Sequence, residues 1–80
     1  MKLPRDISGS ELIKLLKEYG YSPTRQTGSH IRITTELNGT HHVTIPNHSP
    51  IKVGTLSSII AEVATHHAKT KDRLMFELFG

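Results

Sequence analysis

The segment HIRITTELNGTHHVTI, residues 30–45, decides the fold of this 80-residue chain. Alternate residues of a strand face opposite sides, so one face of this segment carries the apolar residues Ile31, Ile33, Leu37, Val43 and Ile45. The other face of its first strand, His30 to Leu37, carries the polar residues His30, Arg32, Thr34 and Glu36. Asn38-Gly39 suits a type I′ turn, because both residues tolerate positive φ, and predicts that the strand His41 to Ile45 returns antiparallel. The segment is therefore predicted to form a hairpin with one core face.

Amphipathic helices are predicted on both sides of this hairpin. Ser8-Gly9-Ser10-Glu11 has the spacing of a capping box, and an apolar stripe follows at Leu12, Leu15, Leu16 and Tyr19. These residues predict a first helix over residues 9–19, which ends at Gly20. After the hairpin, a second helix capped by Thr55 carries the stripe Leu56, Ile59, Ile60 and Val63. Thr70 is predicted to cap a short last helix whose apolar residues are Leu74, Met75, Leu78 and Phe79.

One more strand is predicted before the hairpin, because strand-forming residues begin after Tyr21 and Gly28 interrupts them. The order predicts an α+β fold, α-β-β-β-α with a short C-terminal helix, in a single domain over residues 1–80. The helices are expected to pack on one face of a three-stranded antiparallel sheet. The sheet should end at Pro46, because proline cannot donate to a strand ladder. The other sheet face then stays open to solvent.

Composition restricts the classes of function. Ten Lys and Arg against seven acidic residues give a formal charge of +3, which mildly favours an anionic partner. The chain has no cysteine, so disulfides and thiolate metal sites are excluded. Met1–Asp6 lacks the apolar stretch of a signal peptide, and no apolar run approaches the ~20 residues of a membrane span. We therefore expect a cytoplasmic protein with no membrane association.

Two histidine pairs, His41-His42 and His66-His67, invite a metal site but are poor chelators. Adjacent residues point to opposite faces of a strand and lie about 100° apart around a helix. No His-x-x-x-His or carboxylate-plus-histidine spacing compensates for this. The second pair is predicted near the end of the second helix, where the helix dipole favours positive charge. We therefore expect neither a metal nor a cofactor.

Gly28-Ser29-His30 places a histidine at the start of the central strand, with its side chain directed away from the core. Arg32 shares this face. RNA carries its own nucleophile in the 2′-OH, so an RNA-cleaving site needs an acid–base group, charge stabilisation of the phosphate and positioning. His30 is thus the candidate catalytic residue and Arg32 a candidate phosphate ligand. The alternative is that His30 is only a polar residue on a solvated face.

Lys52-Val53-Gly54-Thr55 places a cation and free amides at a helix start. This arrangement suits a phosphate group, because the N-terminal amides and the helix dipole both favour negative charge. Lys52 and Thr55 are therefore candidate phosphate-binding residues. The alternative is an ordinary threonine cap beside a solvated lysine.

Four blocks of the sequence together resemble the HicA (YcfA-like) toxin family: Ser8 to Leu16, Arg25 to His30, Val43 to His48, and Gly54 to Ile60. They stand in the family's order and cover most of the chain, and the Gly-Ser-His and Gly-Thr-Leu elements are the most characteristic. Through the Gly-Ser-His match, the family's essential histidine falls on His30. The family's loop histidine falls on His48, to which no catalytic role is assigned. Arg25, at the start of the Gly-Ser-His block, is predicted to contact RNA.

The resemblance implies a fold like that of double-stranded-RNA-binding domains. It also implies a metal-independent endoribonuclease that acts on mRNA as the toxin of a type II toxin–antitoxin system, with a HicB-like antitoxin as its partner. Two other functions stay open. A non-catalytic RNA-binding module would shift RNA in a salt-dependent manner without shortening it. A protein-interaction subunit without activity would leave RNA unaffected and bind a small partner encoded beside it.

Overall fold

The computed structural model describes residues 3–80, so the first two residues of the predicted domain lie outside the described part of the chain. The elements, in order, are α1 (Gly9–Leu16), a 3₁₀ turn (Lys17–Tyr19), β1 (Ser22–Thr27), β2 (His30–Thr35), β3 (His41–Pro46), α2 (Val53–His66) and α3 (Lys71–Phe79). The strands form one antiparallel sheet in the order β1-β2-β3. The predicted α+β fold, α-β-β-β-α with a short C-terminal helix, is confirmed. Within residues 3–80, no helix has the length and apolar character needed to span a bilayer.

Side-chain caps begin α1 and α3 at the predicted residues. The hydroxyl of Ser8 accepts a hydrogen bond from the backbone N–H of Glu11, and the Glu11 carboxylate accepts one from the N–H of Ser8. The helix then tightens into the 3₁₀ turn, and Gly20 follows with a left-handed φ of 83°. Thr70 caps α3 by accepting from the N–H of Arg73. Local sequence therefore fixes where these two helices begin.

The start of α2 differs from the prediction. The helix begins at Val53, preceded by Lys52 in an extended conformation without a side-chain cap, so the prediction that Thr55 caps it was wrong. Ile51 is buried, and its N–H donates to the carbonyl of Ile7 at 2.8 Å. Because this anchor fixes where the chain leaves the loop, the helix starts before it reaches the threonine.

The core lies between the helices and one face of the sheet. Ile33, Val43 and Ile45 are buried on that face, as predicted. They pack in one cluster with the inward stripes of the helices, which include Leu12, Leu16, Leu56, Ile59, Ile60, Val63, Leu74, Met75 and Leu78. The exposed residues of β3 alternate with its buried ones. The opposite sheet face is thereby available to a partner.

The turn between β2 and β3 is centred one residue earlier than predicted. The carbonyl of Glu36 accepts from the N–H of Gly39 at 3.3 Å, so the central residues of the turn are Leu37 and Asn38. Asn38 and Gly39 both have positive φ, 58° and 96°, as a type I′ turn at these two residues would require. The paired residues are nevertheless Thr35 and His41, which leaves a five-residue loop between the strands.

This longer loop removes Leu37 from the core. β2 ends at Thr35, so Leu37 lies in the turn and is 52% exposed, and its predicted place on the core face was wrong. Thr35 takes the last inward position and is 1% exposed. Its hydroxyl donates to the carbonyl of Tyr19 at 2.8 Å and accepts from the N–H of Leu37 at 3.1 Å. A satisfied polar side chain therefore closes this end of the core.

Candidate active site

His30 lies at the corner where the β1–β2 turn meets the end of β3. It is the first residue of β2, and in the turn before it Gly28 adopts a left-handed φ of 58°. Its cross-strand neighbours are Thr27 on β1 and Pro46 on β3. The residue is exposed, as the alternation of the strand predicted. His30 thus stands at an edge where the sheet borders a loop.

A cleft opens between this corner and the start of α2. Its lining consists of His30, Thr44, Pro46, His48, Lys52 and Thr55. The structure therefore brings three of the predicted site residues, His30, Lys52 and Thr55, to one opening. It adds a second histidine, His48, and none of the described residues that line the cleft is acidic.

A short backbone hydrogen bond holds the two histidine-bearing segments together. The N–H of Asn47 donates to the carbonyl of Ser29 at 2.6 Å. Ser29 immediately precedes His30 and Asn47 immediately precedes His48. The main-chain positions of the two histidines are therefore fixed relative to each other by a bond that involves neither side chain.

The N-terminus of α1 also contacts the loop that follows β3 and carries His48. The N–H of Gly9 donates to the carbonyl of His48 at 2.9 Å. A Cβ atom added to Gly9 would lie 2.3 Å from the carbonyl oxygen of Pro46 and 3.2 Å from the Cα of Asn47. Only glycine permits this approach of loop to helix, so the capping segment of α1 also sets the position of one wall of the cleft.

Positive charge and unpaired amides meet at the α2 wall. Lys52 stands at the N-cap position, and the first turn of α2 has neither a side-chain cap nor an acidic residue. The first N–H groups of a helix have no intrahelical partner and carry the positive end of the helix dipole. Lys52 and Thr55 are both exposed at this end. An anion in the cleft would be stabilised by the lysine and by these amides.

Arg25 and Arg32 form a second basic feature, outside the residues that line the cleft. They are direct cross-strand neighbours on β1 and β2. Neither takes part in the ion pairs of residues 3–80, which are Lys69–Glu77 and Arg73–Glu77. The Nε atom of Arg32 is buried and has no hydrogen-bond partner within the described part of the chain. Because like charges opposite each other destabilise a sheet, an anion bound between these arginines would relieve their repulsion.

His41, from the first histidine pair, meets both residues of the second pair, His66 and His67, at the opposite end of β3, which sequence reasoning did not anticipate. The rings of His41 and His66 stack with their centroids 4.3 Å apart and their planes 10° apart. The hydroxyl of Tyr21 lies 2.7 Å from Nδ1 of His41 and 3.3 Å from Nε2 of His67. The consistent assignment is that the Nε2–H of His67 donates to the Tyr21 oxygen, whose own proton goes to His41. Both histidines are neutral in this network.

His66 ends α2, as predicted, and fastens the β2–β3 turn to it. Its Nε2–H donates to the carbonyls of Leu37 at 2.9 Å and Gly39 at 3.0 Å. Across the described residues, no group of three or more His, Cys, Asp or Glu side chains is arranged to hold a metal ion. The cluster of His41, His66 and His67, called the histidine cluster below, therefore links the β2–β3 turn to the end of α2.

The histidine cluster should make the stability of the fold dependent on pH. Burial lowers the pKa of His41 and of His67, and the neighbouring His66 lowers both further. The unfolded chain takes up protons at these positions near pH ~6.5, so the stability they provide is present above that pH and lost below it. We expect the free energy of unfolding in urea to fall below about pH 6.5, by at most ~1.4 kcal/mol per pH unit for each histidine.

A matched pair of variants tests this origin of the pH dependence. His41→Asn removes a titrating ring but keeps an acceptor for the Tyr21 hydroxyl, so the slope below pH ~6.5 should become shallower. His30→Asn, at an exposed position at the opposite end of the sheet, should keep the slope of the wild type. Charges near the cluster include Glu62, which raises the pKa of His41, and His42, which lowers it. Lys69 lowers the pKa of His67. Equal slopes for both variants would contradict the assignment.

Comparison with known proteins assigns the chain to a family. A family model described as the HicA toxin of bacterial toxin–antitoxin systems matches residues 9–64, which is more than half of the chain. Searches of the curated proteins and of the solved structures gave no significant match. The matched range runs from the first residue of α1 to near the end of α2, so it includes the sheet and every residue that lines the cleft. The chain belongs to the HicA toxin family of bacterial toxin–antitoxin systems.

Proposed function

We propose that this toxin is a metal-independent endoribonuclease that cleaves mRNA in the cleft, with His30 as an acid–base residue. One observation carries the proposal: the cleft places His30 beside Lys52 and the uncapped start of α2, and its lining among residues 3–80 contains no carboxylate. A nuclease that uses the 2′-OH of its own substrate needs those elements, since the nucleophile comes with the RNA. The partner in this proposal is a HicB-like antitoxin.

The cleavage step follows from these groups. The 2′-oxygen of a ribose attacks the adjacent phosphorus and its proton passes to a histidine base. The bond from phosphorus to the 5′-oxygen of the next nucleotide breaks, and that oxygen takes up a proton. Lys52 and the first-turn amides of α2, which include that of Thr55, stabilise the additional negative charge on the phosphate oxygens. The products are a 2′,3′-cyclic phosphate end and a 5′-hydroxyl end.

The arginine pair extends the binding surface along the sheet. Arg32 lies two residues after His30 on β2, a distance of about 6.6 Å along a strand, and Arg25 lies beside it. One RNA strand can therefore contact the cleft and the arginines together. In this proposal Arg25 and Arg32 bind phosphates that flank the cleaved one, which contributes affinity without base specificity.

The test uses the purified chain and RNA in the presence of EDTA. We expect the RNA to be shortened at the same rate with EDTA and with magnesium, and the new 5′ ends to accept a phosphate label directly because they carry hydroxyls. Raising the salt concentration should slow cleavage by weakening phosphate contacts. RNA that shifts on a native gel but keeps its length would instead indicate a binding module. Cleavage that requires magnesium would contradict the proposed chemistry.

A further inference from the structure

His48 lies in the same cleft as His30 although the two residues are far apart in the sequence. It is exposed and follows the end of β3 in the loop that leads to α2. Its carbonyl accepts a hydrogen bond from the N–H of Gly9. The N–H of the preceding residue, Asn47, donates to the carbonyl of Ser29, which precedes His30. These contacts fix the backbone and leave the imidazole to face the cleft opening.

The proposed reaction needs two proton transfers at different atoms. One group must take the proton of the 2′-OH, and another must give a proton to the departing 5′-oxygen. Among residues 3–80, the titratable groups that line the cleft are His30, His48 and Lys52. Lysine serves as the fixed positive charge for the phosphate, because it has three donors and no acceptor when charged. The two imidazoles remain for the two proton transfers.

We propose that His48 is the second acid–base residue of this site. This inference rests on the proposed function. One of the two histidines removes the proton from the 2′-oxygen as the new phosphorus–oxygen bond forms. The other delivers a proton to the 5′-oxygen as the old bond breaks, and the pair ends with its protons exchanged. The wild type should therefore show a bell-shaped dependence of kcat/KM on pH, with one limb for each histidine.

A leaving group that needs no proton separates the two roles. In a nucleoside 3′-(4-nitrophenyl phosphate), the 2′-OH attacks as in RNA, but nitrophenolate departs without general acid help. On RNA, His30→Ala and His48→Ala should each lower kcat/KM by roughly 10²–10⁴-fold. On the nitrophenyl ester, one variant should approach the wild type and the other should stay slow. His42→Ala, an exposed histidine of β3 outside the cleft, should match the wild type on both substrates.

Each outcome decides between the alternatives. One variant spared on the ester, together with loss of one limb of the pH profile in His48→Ala, supports the acid–base pair. An active His48→Ala protein on RNA overturns the inference and leaves His30 as the proposed catalyst. Equal losses of His48→Ala on both substrates, with both limbs of its pH profile intact, would show that His48 only positions the substrate, which also overturns it. A wild type that cleaves neither substrate would contradict the proposed function itself. Urea unfolding of each variant confirms that the folded protein was assayed.

Discussion

Replacing His30 with alanine is expected to lower RNA cleavage by roughly 10²–10⁴-fold, because the cleft then lacks one of its two proposed acid–base groups. The fold should be unaffected, since His30 is exposed at the first position of β2. Surface substitutions of this kind change the free energy of unfolding by about 0.5 kcal/mol or less. Binding should also survive, because Lys52 and the arginine pair are unchanged. The measurement is single-turnover cleavage of RNA, with a native gel for binding.

A growth assay provides a second test of the His30→Ala variant. Induced expression of the wild type without an antitoxin should stop growth and degrade cellular RNA, whereas His30→Ala should do neither. His42→Ala provides the control, since it removes an exposed histidine of β3 that does not line the cleft. A His30→Ala protein that still cleaves RNA would contradict the role given to this residue. If wild type and variant are both harmless while folded and able to bind RNA, the chain is a binding module.

Short-range signals predicted most of the secondary structure. The capping box at Ser8 and the cap at Thr70 each act over three residues, and both helices begin where these signals place them. The apolar stripe of α2 became core as predicted. In the α1 stripe, Leu12 and Leu16 are fully buried, whereas Leu15 and Tyr19 are partly buried against the core. The predicted cap of Thr55 failed because a tertiary anchor, the buried Ile51, determines where α2 begins. Local signals are reliable where no long-range contact competes with them.

The register of the central hairpin shows two sequence signals in conflict. A two-residue turn at Asn38-Gly39 would pair Leu37 with Thr40 and therefore Ile33 with Thr44. Cross-strand partners share a face, so that register would set a core residue opposite a solvent-facing one. The observed register pairs Ile33 with Val43. The alternation of apolar and polar residues in the strands therefore predicts the observed register. The preference of Asn-Gly for a two-residue turn predicts the wrong register.

The candidate site was predictable only in part. Alternation was sufficient to place His30 on an exposed strand position, but it does not say which loop lies beside it. That depends on the pairing of His30 with Pro46, which brings His48 to the same cleft. If the hairpin register that pairs Ile33 with Val43 had been predicted, the pairing of His30 with Pro46 would have followed from it. From the sequence alone, strand alternation gives a direction for the side chain of His30, which lies in β2. It gives none for His48, which lies in a loop.

The neighbouring arginines illustrate a further limit. Both Arg25 and Arg32 were predicted to bind RNA or phosphate, but their direct pairing across the strands was not predicted. The pairing depends on an irregularity in β1 between Pro23 and Arg25, which shifts the register by one residue. Bulges of this kind cannot be read from composition, because the extra residue, here Thr24, is an ordinary strand former.

The loop that carries His48 depends on Gly9, so this glycine couples the stability of the fold to the geometry of the cleft. A Cβ at this position would meet the backbone of Pro46 and Asn47, neither of which can rotate out of the way as a side chain would. Helix propensity alone would favour alanine by up to about 1 kcal/mol. The contact with the Pro46 oxygen, at 2.3 Å, is far closer than van der Waals distance and outweighs that gain.

We therefore expect Gly9→Ala to lower the free energy of unfolding by about 1–3 kcal/mol, the usual cost of forcing atoms into a well-packed site. Gly54→Ala is the matched control, because a Cβ at this first-turn position of α2 would meet no atom of residues 3–80 within 4 Å. This variant should be as stable as the wild type or slightly more stable. Urea unfolding of both variants measures the difference. Gly9→Ala should also cleave RNA more slowly per folded molecule, since the shifted loop changes the position of His48 relative to His30. A Gly9→Ala protein with the stability and activity of the wild type would show that the loop can move away from α1 without cost, and that the position of His48 is not set by this contact.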